Sequence, residues 1–328
     1  MAQRFWIETL GCPKNRVDSD KLVGTLTADG LEPAAGPERA DVVVVNTCAF
    51  IEEARRESID TILALDEVRR AGARLVVTGC MAERYGAELA EALPEVDTVA
   101  PFGAALVPAG PTGSASAVPV SLGPTRPAAG SAPVTGSAFD LLELPRPPST
   151  APWAYVKVAE GCDRNCGFCA IPSFRGRQRS RSIDSILAEV DQLEVAEVVL
   201  VAQDLAAYGR DQGRGTRQIV PLVNEVAKRV PWVRLLYLYP SDLTDDLIDV
   251  VCDGRVPYFD LSLQHVSPPL MRRMRRWGDG DRFAERIEAI RHRRPDAAFR
   301  SNFIVGYPGE TESDHDALLD FVATSRLD

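Results

Sequence analysis

Apolar positions along this chain fall into two patterns, and each pattern repeats. In the first hundred residues, short continuous apolar runs at 5–10, 41–46 and 74–78 read as strands, the second carrying Val42-Val43-Val44-Val45. Runs of this kind have no polar face, which predicts a parallel sheet covered on both sides. Between and after them, residues 18–28, 52–71 and 82–93 show helical spacing, and Asp18-Ser19 offers a cap for the first helix. The expected fold is α/β, here a doubly wound parallel domain over residues 1–102.

The second pattern begins near residue 153. Strand-like runs at 154–159, 197–202, 234–239, 259–263 and 299–305 alternate with helical stretches such as 183–193, 243–251 and 282–292, so residues 153–328 predict a partial (β/α) barrel of five units. Between the patterns, residues 103–152 are dominated by Pro, Ala, Gly, Ser and Thr and predict a flexible linker. Its short apolar piece at 139–144 reads as connector rather than as a docking strand.

Composition narrows the class. The chain has 328 residues, 45% hydrophobic and 26% charged, with a formal net charge of -10, which suits a globular protein and argues against nonspecific binding to DNA or other nucleic acid. No apolar stretch reaches spanning length and the start runs straight into a strand pattern, so a cytoplasmic protein with no membrane partner is expected.

Seven cysteines change the picture. Cys162, Cys166 and Cys169 lie within eight residues directly after the first barrel strand. Three soft sulfur ligands this close suit an iron–sulfur cluster with one iron left open, whereas a structural zinc site would show paired C-x2-C halves and an odd cysteine count argues against a disulfide framework. Cys12, Cys48 and Cys80 each follow a strand of the first domain, at the carboxyl edge where open α/β sheets build sites. They predict a second three-cysteine cluster, with Gly11 and Gly79 supplying tight turns. Cys252, isolated on a predicted helix, reads as core.

Carboxyl ends of barrel strands gather functional groups. Here they hold Gln203 and Asp204, then Tyr239, Pro240 and Ser241, then Gln264 and His265, then the run from Gly306 through Pro308 to Glu310. Among these, His265 is as well suited to packing or orienting a neighbour as to acid–base chemistry, and His292 and His315 are expected on exposed helix faces. Two basic runs, Arg175, Arg177, Arg179, Arg181 and Arg272, Arg273, Arg275, Arg276, are candidates for clamping a carboxylate or for docking on phosphate.

These words together resemble a known family. Gly11-Cys12-Pro13-Lys14-Asn15, Asn46-Thr47-Cys48, Thr78-Gly79-Cys80-Met81-Ala82 and the three-residue, then two-residue spacing of the later cysteines are similar to the radical S-adenosylmethionine (SAM) methylthiotransferases. The resemblance implies two 4Fe-4S clusters, on Cys12, Cys48, Cys80 and on Cys162, Cys166, Cys169, with SAM on the open iron of the latter. It also implies cofactor contacts from Gln203, Ser241, Gln264, Gly306 and Pro308, the last two resembling a Gly-Pro stretch near the adenine, and electrons from a flavodoxin or ferredoxin.

Two branches of the family differ in substrate, an aspartate of the small-subunit ribosomal protein S-twelve or an adenosine beside the tRNA anticodon. Pro13-Lys14, Phe50-Ile51-Glu52-Glu53-Ala54, Ile171-Pro172-Ser173-Phe174-Arg175-Gly176, Gln264-His265 and Met274-Arg275-Arg276 resemble the ribosomal, RimO-type branch. That implies S-twelve or the ribosome as partner. A two-cluster electron carrier is the remaining alternative, and it would need no barrel. Members of the family carry a sixth barrel strand and a C-terminal domain, which are expected to be missing here.

Overall fold

A computed structural model describes residues 2–107, 140–213 and 215–328. By its internal contacts the chain forms two units: residues 1–10 with Leu26–Leu144, and Gly11–Thr25 with Pro145–Asp328.

The first unit carries a five-stranded parallel sheet of β1 (Arg4–Thr9), β2 (Glu32–Pro33), β3 (Val42–Thr47), β4 (Arg74–Gly79) and β5 (Thr98–Val99) in the order β2-β1-β3-β4-β5. Every residue of the central strand β3 is buried, as a parallel strand with helices on both faces requires. The sequence pattern located the three long strands to within a residue or two and missed the two-residue edge strands β2 and β5, too short to show a period. Helix α2 (Glu52–Val68) follows β3, and α3 (Cys80–Ala92) follows β4.

Helix α1 (Pro13–Ala28) corrects the expected start at Asp18. Pro13 stands at the first helical position, where its missing N–H costs nothing; Asp18 is therefore mid-helix and buried, free to pair instead of cap. Gly11–Thr25 belongs with the second unit.

That unit is built on five parallel strands: β6 (Trp153–Lys157), β9 (Glu197–Val201), β10 (Trp232–Leu238), β11 (Tyr258–Gln264) and β12 (Ala298–Phe303), ordered β12-β11-β10-β9-β6. Between β6 and β9, the short strands β7 (Ala159–Glu160) and β8 (Arg179–Ser180) form an antiparallel pair flanking the helix α4 (Ile171–Arg175). Helices α5 (Ile183–Leu193), α6 (Ile219–Ala227), α7 (Asp245–Asp253), α9 (Gly280–Arg293) and α10 (Glu312–Ser325) complete the five βα units, and the short α8 (Pro268–Arg273) follows β11. Ser182, Thr244, Asp279 and Thr311 cap four of these helices by accepting a backbone N–H. Val156, Leu200, Leu238, Phe259 and Phe299 meet in one core with the helices, and Cys252 is buried in it.

Residues 108–139 of the expected linker lie outside the described residues. Beyond them the composition misled: Leu141 and Leu142 are buried in a turn, not on a strand, and the Arg146 guanidinium lies within 3.2 Å of Asp20 and of Glu189.

Candidate active site around the cysteine loop

Backbone contacts first fix the loop that carries Cys162, Cys166 and Cys169. Gly161 turns it with φ 77°, and a Cβ there would sit 2.7 Å from the backbone of Gly176 and Arg177, so only glycine fits. Cys162 N–H donates to Gly176 O (3.0 Å), Cys169 N–H to Cys166 O (3.1 Å) and Gly167 N–H to Met274 O (2.9 Å). The last bond ties the loop to the turn after α8. Burial raises the Cys162 thiol to about 12, helped by Asp204, Cys169 and Cys166 and opposed by the Arg164 N–H that donates to its sulfur at 3.4 Å. Burial and Cys166 raise Cys169 as well. The thiols are thus near enough to raise one another. Among the described residues, no three His, Cys, Asp or Glu side chains are gathered at metal-holding distance.

Two bulges shape the strand ends facing this loop. The β10–β11 register shifts between Leu235 and Leu238, with Tyr237 at φ 63°, and the β11–β12 register shifts between Leu261 and Gln264, with Gln264 at φ 75°. Positive φ in a non-glycine residue is costly, and bulges at strand ends re-aim side chains. At and beyond the bulges, Tyr239 lies between two guanidinium groups, Arg164 at 3.8 Å and Arg276 at 3.9 Å from its ring centre. Arg164 also donates to Asp204 (2.5 Å) and to Asp242, and Asp242 accepts from Arg217 at 2.6 Å.

The expected cofactor contacts divide. Gln203 points its amide N–H at Glu160 (2.6 Å), which leaves Gln203 Oε1 buried without a partner; Asp204 Oδ1 is likewise buried and unpaired. Burial raises the Asp204 carboxyl despite Arg164. A buried acceptor without a donor is costly, so these two atoms invite a ligand's N–H or O–H. Ser241 hydroxyl donates to Asp242 (3.3 Å). The Gln264 carbonyl accepts from Ile304 N–H (2.8 Å). Gly306, at φ 71°, has open space where a Cβ would stand, and the Pro308 carbonyl accepts from Arg273 at 3.1 Å.

His265 is an orienting residue. Its Nδ1 accepts from Ser267 N–H (3.0 Å), which leaves Nε2 to donate to Glu310 at 3.4 Å and join the ends of β11 and β12. His292 is exposed; His315 is partly exposed beside Glu310.

The basic run after the loop is not one patch. Arg177 is almost fully exposed and Arg179 is exposed, while the Arg175 and Arg181 side chains are only 3% exposed. Arg175 binds Glu160 with both contacts at 2.9 Å, and also Asn15 (2.9 Å) and Asp18 (3.4 Å) of α1. Lys157, fully buried on β6, pairs with Asp18 and with Glu160 (2.7 Å). Although burial would raise it, the Glu160 carboxyl is held well below the usual range by Arg175 and Lys157. Sequence reasoning missed this network. Strand alternation makes Lys157 look solvent-facing, and its partner is 139 residues away.

The same network reaches Cys12. Cys12 immediately precedes α1, and its carbonyl accepts from Arg16 N–H at 3.2 Å. Burial would raise its thiol, but the Lys14 and Arg175 cations and the N–H groups of Asn15 and Lys14 outweigh that and lower it. Lys14, stacked 3.6 Å over Tyr237, also opposes the rise that burial imposes on Cys169. In the first unit, Thr47 pairs with Gly79 across β3 and β4, so Cys48 and Cys80 leave neighbouring strands at matching positions. Gly79, at φ 92°, lies so close to Thr47 that a Cβ would be 2.6 Å from its backbone N. The Ser58 side chain bonds both the N–H (3.1 Å) and the carbonyl (3.0 Å) of Cys48.

A cavity of about 670 Å³ is lined by Glu288, Arg291, His292, Asp296 and Arg326. It lies at the opposite, amino-terminal side of the strands and plays no part in this arrangement. Among the described residues no helix is long and apolar enough to cross a membrane.

Comparison with known proteins fits this geometry. Residues 4–101 match the model of "Uncharacterized protein family UPF0004" and residues 156–322 that of the "Radical SAM superfamily". A solved structure of the cobalamin-dependent SAM radical enzyme OxsB shares the fold at a TM-score of 0.59 and 10% identity, over 98% of this chain and 52% of that one, so the chain spans about half of that structure. "Ribosomal protein uS12 methylthiotransferase RimO" of Kineococcus radiotolerans is 42% identical over 98% of this chain and 72% of its own length. Proteins of the same name from Cutibacterium acnes and Moorella thermoacetica are each 42% identical, over 98% and 99% of this chain and 74% of their own length. At this identity and coverage, the chain belongs to the RimO family of radical SAM methylthiotransferases.

Proposed function

We propose that this chain is the enzyme that methylthiolates the β-carbon of an aspartate in ribosomal protein uS12, using SAM and 4Fe-4S chemistry. The observation that carries the reading is the pairing of a three-thiol loop with unpaired buried acceptors, Gln203 Oε1 and Asp204 Oδ1, at the adjoining strand end, in a chain whose 42% identical relatives bear that name.

The residues present fit a cluster. Cys162, Cys166 and Cys169 supply soft thiolates, and the Arg164 N–H and the Arg276 guanidinium donate to their sulfurs as such centres require. When bound, a 4Fe-4S cluster with an open iron supplies the electron that cleaves SAM to methionine and a 5′-deoxyadenosyl radical, a species able to take hydrogen from an inert carbon.

The protein's own groups do the rest. Gln203, oriented by Glu160, and Asp204, oriented by Arg164, offer acceptors to the ammonium or hydroxyl groups of SAM. Gly306, where a Cβ would meet open space, leaves room for a planar group, and Ser241, Gln264 and Pro308 are the further contacts proposed for SAM. Cys12, Cys48 and Cys80 would hold a second cluster, which would supply the sulfur to be transferred. Lys14 stands electrostatically between Cys12 and Cys169. A one-electron carrier of the flavodoxin or ferredoxin type supplies the reducing equivalents.

The test is an anaerobic assay with reconstituted protein, SAM, dithionite and small ribosomal subunits. Formation of 5′-deoxyadenosine together with methylthio-aspartate in uS12 supports the reading. SAM cleavage that yields a methylthio-adenosine in tRNA instead would replace it with the other branch.

A further inference from the structure

Tyr239 is flanked by two arginines whose charges are treated differently. Arg164 is neutralised by Asp204 and Asp242. Arg276 has no carboxylate within ion-pair distance among the described residues. Its Nη1 donates to Cys166 Sγ at 3.5 Å, its Nη2 to the Ser262 carbonyl, and its Nε is buried without a partner. Stacking at 3.9 Å on Tyr239 holds the plane. Met274, two residues earlier, accepts from Gly167 N–H at 2.9 Å, so the segment bearing Arg276 and the loop bearing Cys166 are fastened to each other. Arg276 also opposes the rise that burial imposes on the Cys169 thiol, so its field covers two of the three sulfurs.

We propose that Arg276 sets the reducibility of the cluster held by Cys162, Cys166 and Cys169, its guanidinium, which feels Asp204 but forms no ion pair among the described residues, stabilising the one-electron-reduced state through Cys166. This rests on the reading that the loop carries a cluster. One electron arrives from an external one-electron donor, no covalent bond forms or breaks, and the added negative charge falls beside a cation already in place. Hydrogen bonds to cluster sulfurs and net charge are what tune such potentials. A charge-assisted donor is stronger than a neutral one, and arginine's fixed fork reaches the sulfur and the Ser262 carbonyl at once, which lysine cannot copy.

The experiment is a redox titration of the full chain, reconstituted anaerobically and without SAM, followed by electron paramagnetic resonance in wild type, Arg276→Gln and Arg276→Lys, with iron counted in each. At the wild-type midpoint, Arg276→Gln is expected to lower the reduced-to-oxidised ratio roughly tenfold, about 59 mV for one electron. Arg276→Lys should fall between, since it keeps the charge and loses the fork. An unchanged midpoint in fully loaded Arg276→Gln overturns the proposal. So does a weakened SAM affinity with no change in midpoint, which would make Arg276 a carboxylate clamp. If both variants fail to load iron, Arg276 holds the loop rather than its potential, and the proposal falls. Wild type that loads no cluster at the loop contradicts the cluster reading itself.

Discussion

The two sets of cysteines are built in different ways. Cys162, Cys166 and Cys169 share one loop of eight residues, fastened at Cys162, Gly167 and Cys169 by backbone hydrogen bonds. Cys12, Cys48 and Cys80 are scattered over 68 residues of sequence, at the ends of three different strands. Cys48 and Cys80 are brought level by the β3–β4 register, while Cys12 precedes a helix that belongs with the barrel unit as far as Thr25 and is pinned there through Asn15 and Asp18. A local site survives small changes of fold. A distributed one depends on every element that delivers a ligand.

The largest expected effect separates the sets by chemistry. Changing Cys162, Cys166 and Cys169 together to Ala should abolish SAM cleavage and leave about half of roughly eight iron atoms, as counted after anaerobic reconstitution. Changing Cys12, Cys48 and Cys80 to Ala should also halve the iron, yet still release 5′-deoxyadenosine under dithionite and give no methylthio product. Loss of SAM cleavage in that folded variant would erase the proposed division of labour.

Next in size is the buried network that fixes α1. Lys157→Met removes one of the two cations shared by Asp18 and Glu160 and leaves both carboxylates to Arg175 alone, which should cost about 3 kcal/mol in a urea melt of the apo-protein. Because α1 follows Cys12, the surviving protein should lose iron from the Cys12 set before the Cys162 set. Equal loss from both would show that the delivery of Cys12 does not depend on this network.

Acid should act on the same network. Glu160 and Glu189 both titrate below their ordinary value, burial raising them but being outweighed, in Glu160 by Arg175 and Lys157 and in Glu189 by Lys21, Arg181 and Arg146. A depressed carboxylate contributes stability that is complete above its unfolded pKa, about 4.3, and is lost as pH falls through the folded value. Unfolding midpoints should therefore drop on acidification below about pH 4.3, and Glu160→Gln should flatten that decline.

The smallest effect concerns Lys21, fully buried and 3.5 Å from Glu189. Burial lowers its pKa to about 8; charging it therefore costs stability below that pH, and the cost is relieved as pH rises from about 8 towards its unfolded value. Glu189 keeps Arg181 and Arg146 when Lys21 is removed, so Lys21→Met should be neutral or stabilising by about 1 kcal/mol at pH 7. The advantage should shrink by pH 10, as paired melts would show.

What the sequence made legible follows the same division between local and distributed. Continuous valines and evenly spaced apolar runs located eight long strands, and the cysteine loop announced itself because its ligands are neighbours in the chain. The tie of α1 to the barrel was hidden, since Lys157 and Asp18 meet only after the chain has folded. Arg276 was hidden in a basic run whose other members, Arg272, Arg273 and Arg275, are exposed; only the turn after α8 aims it at Cys166. Likewise, Arg175 and Arg177 have the same charge but opposite surroundings, because one lies beside Glu160 and the other faces solvent.

The central claim, that this chain couples SAM cleavage at the Cys162 loop to methylthiolation of uS12, is tested most directly by offering one anaerobic preparation small ribosomal subunits and unmodified tRNA side by side, then analysing both by mass spectrometry. The account predicts a methylthio group on an aspartate of uS12, accompanied by 5′-deoxyadenosine, with tRNA unchanged. A methylthio group on tRNA adenosine, or 5′-deoxyadenosine with neither substrate modified, would contradict it.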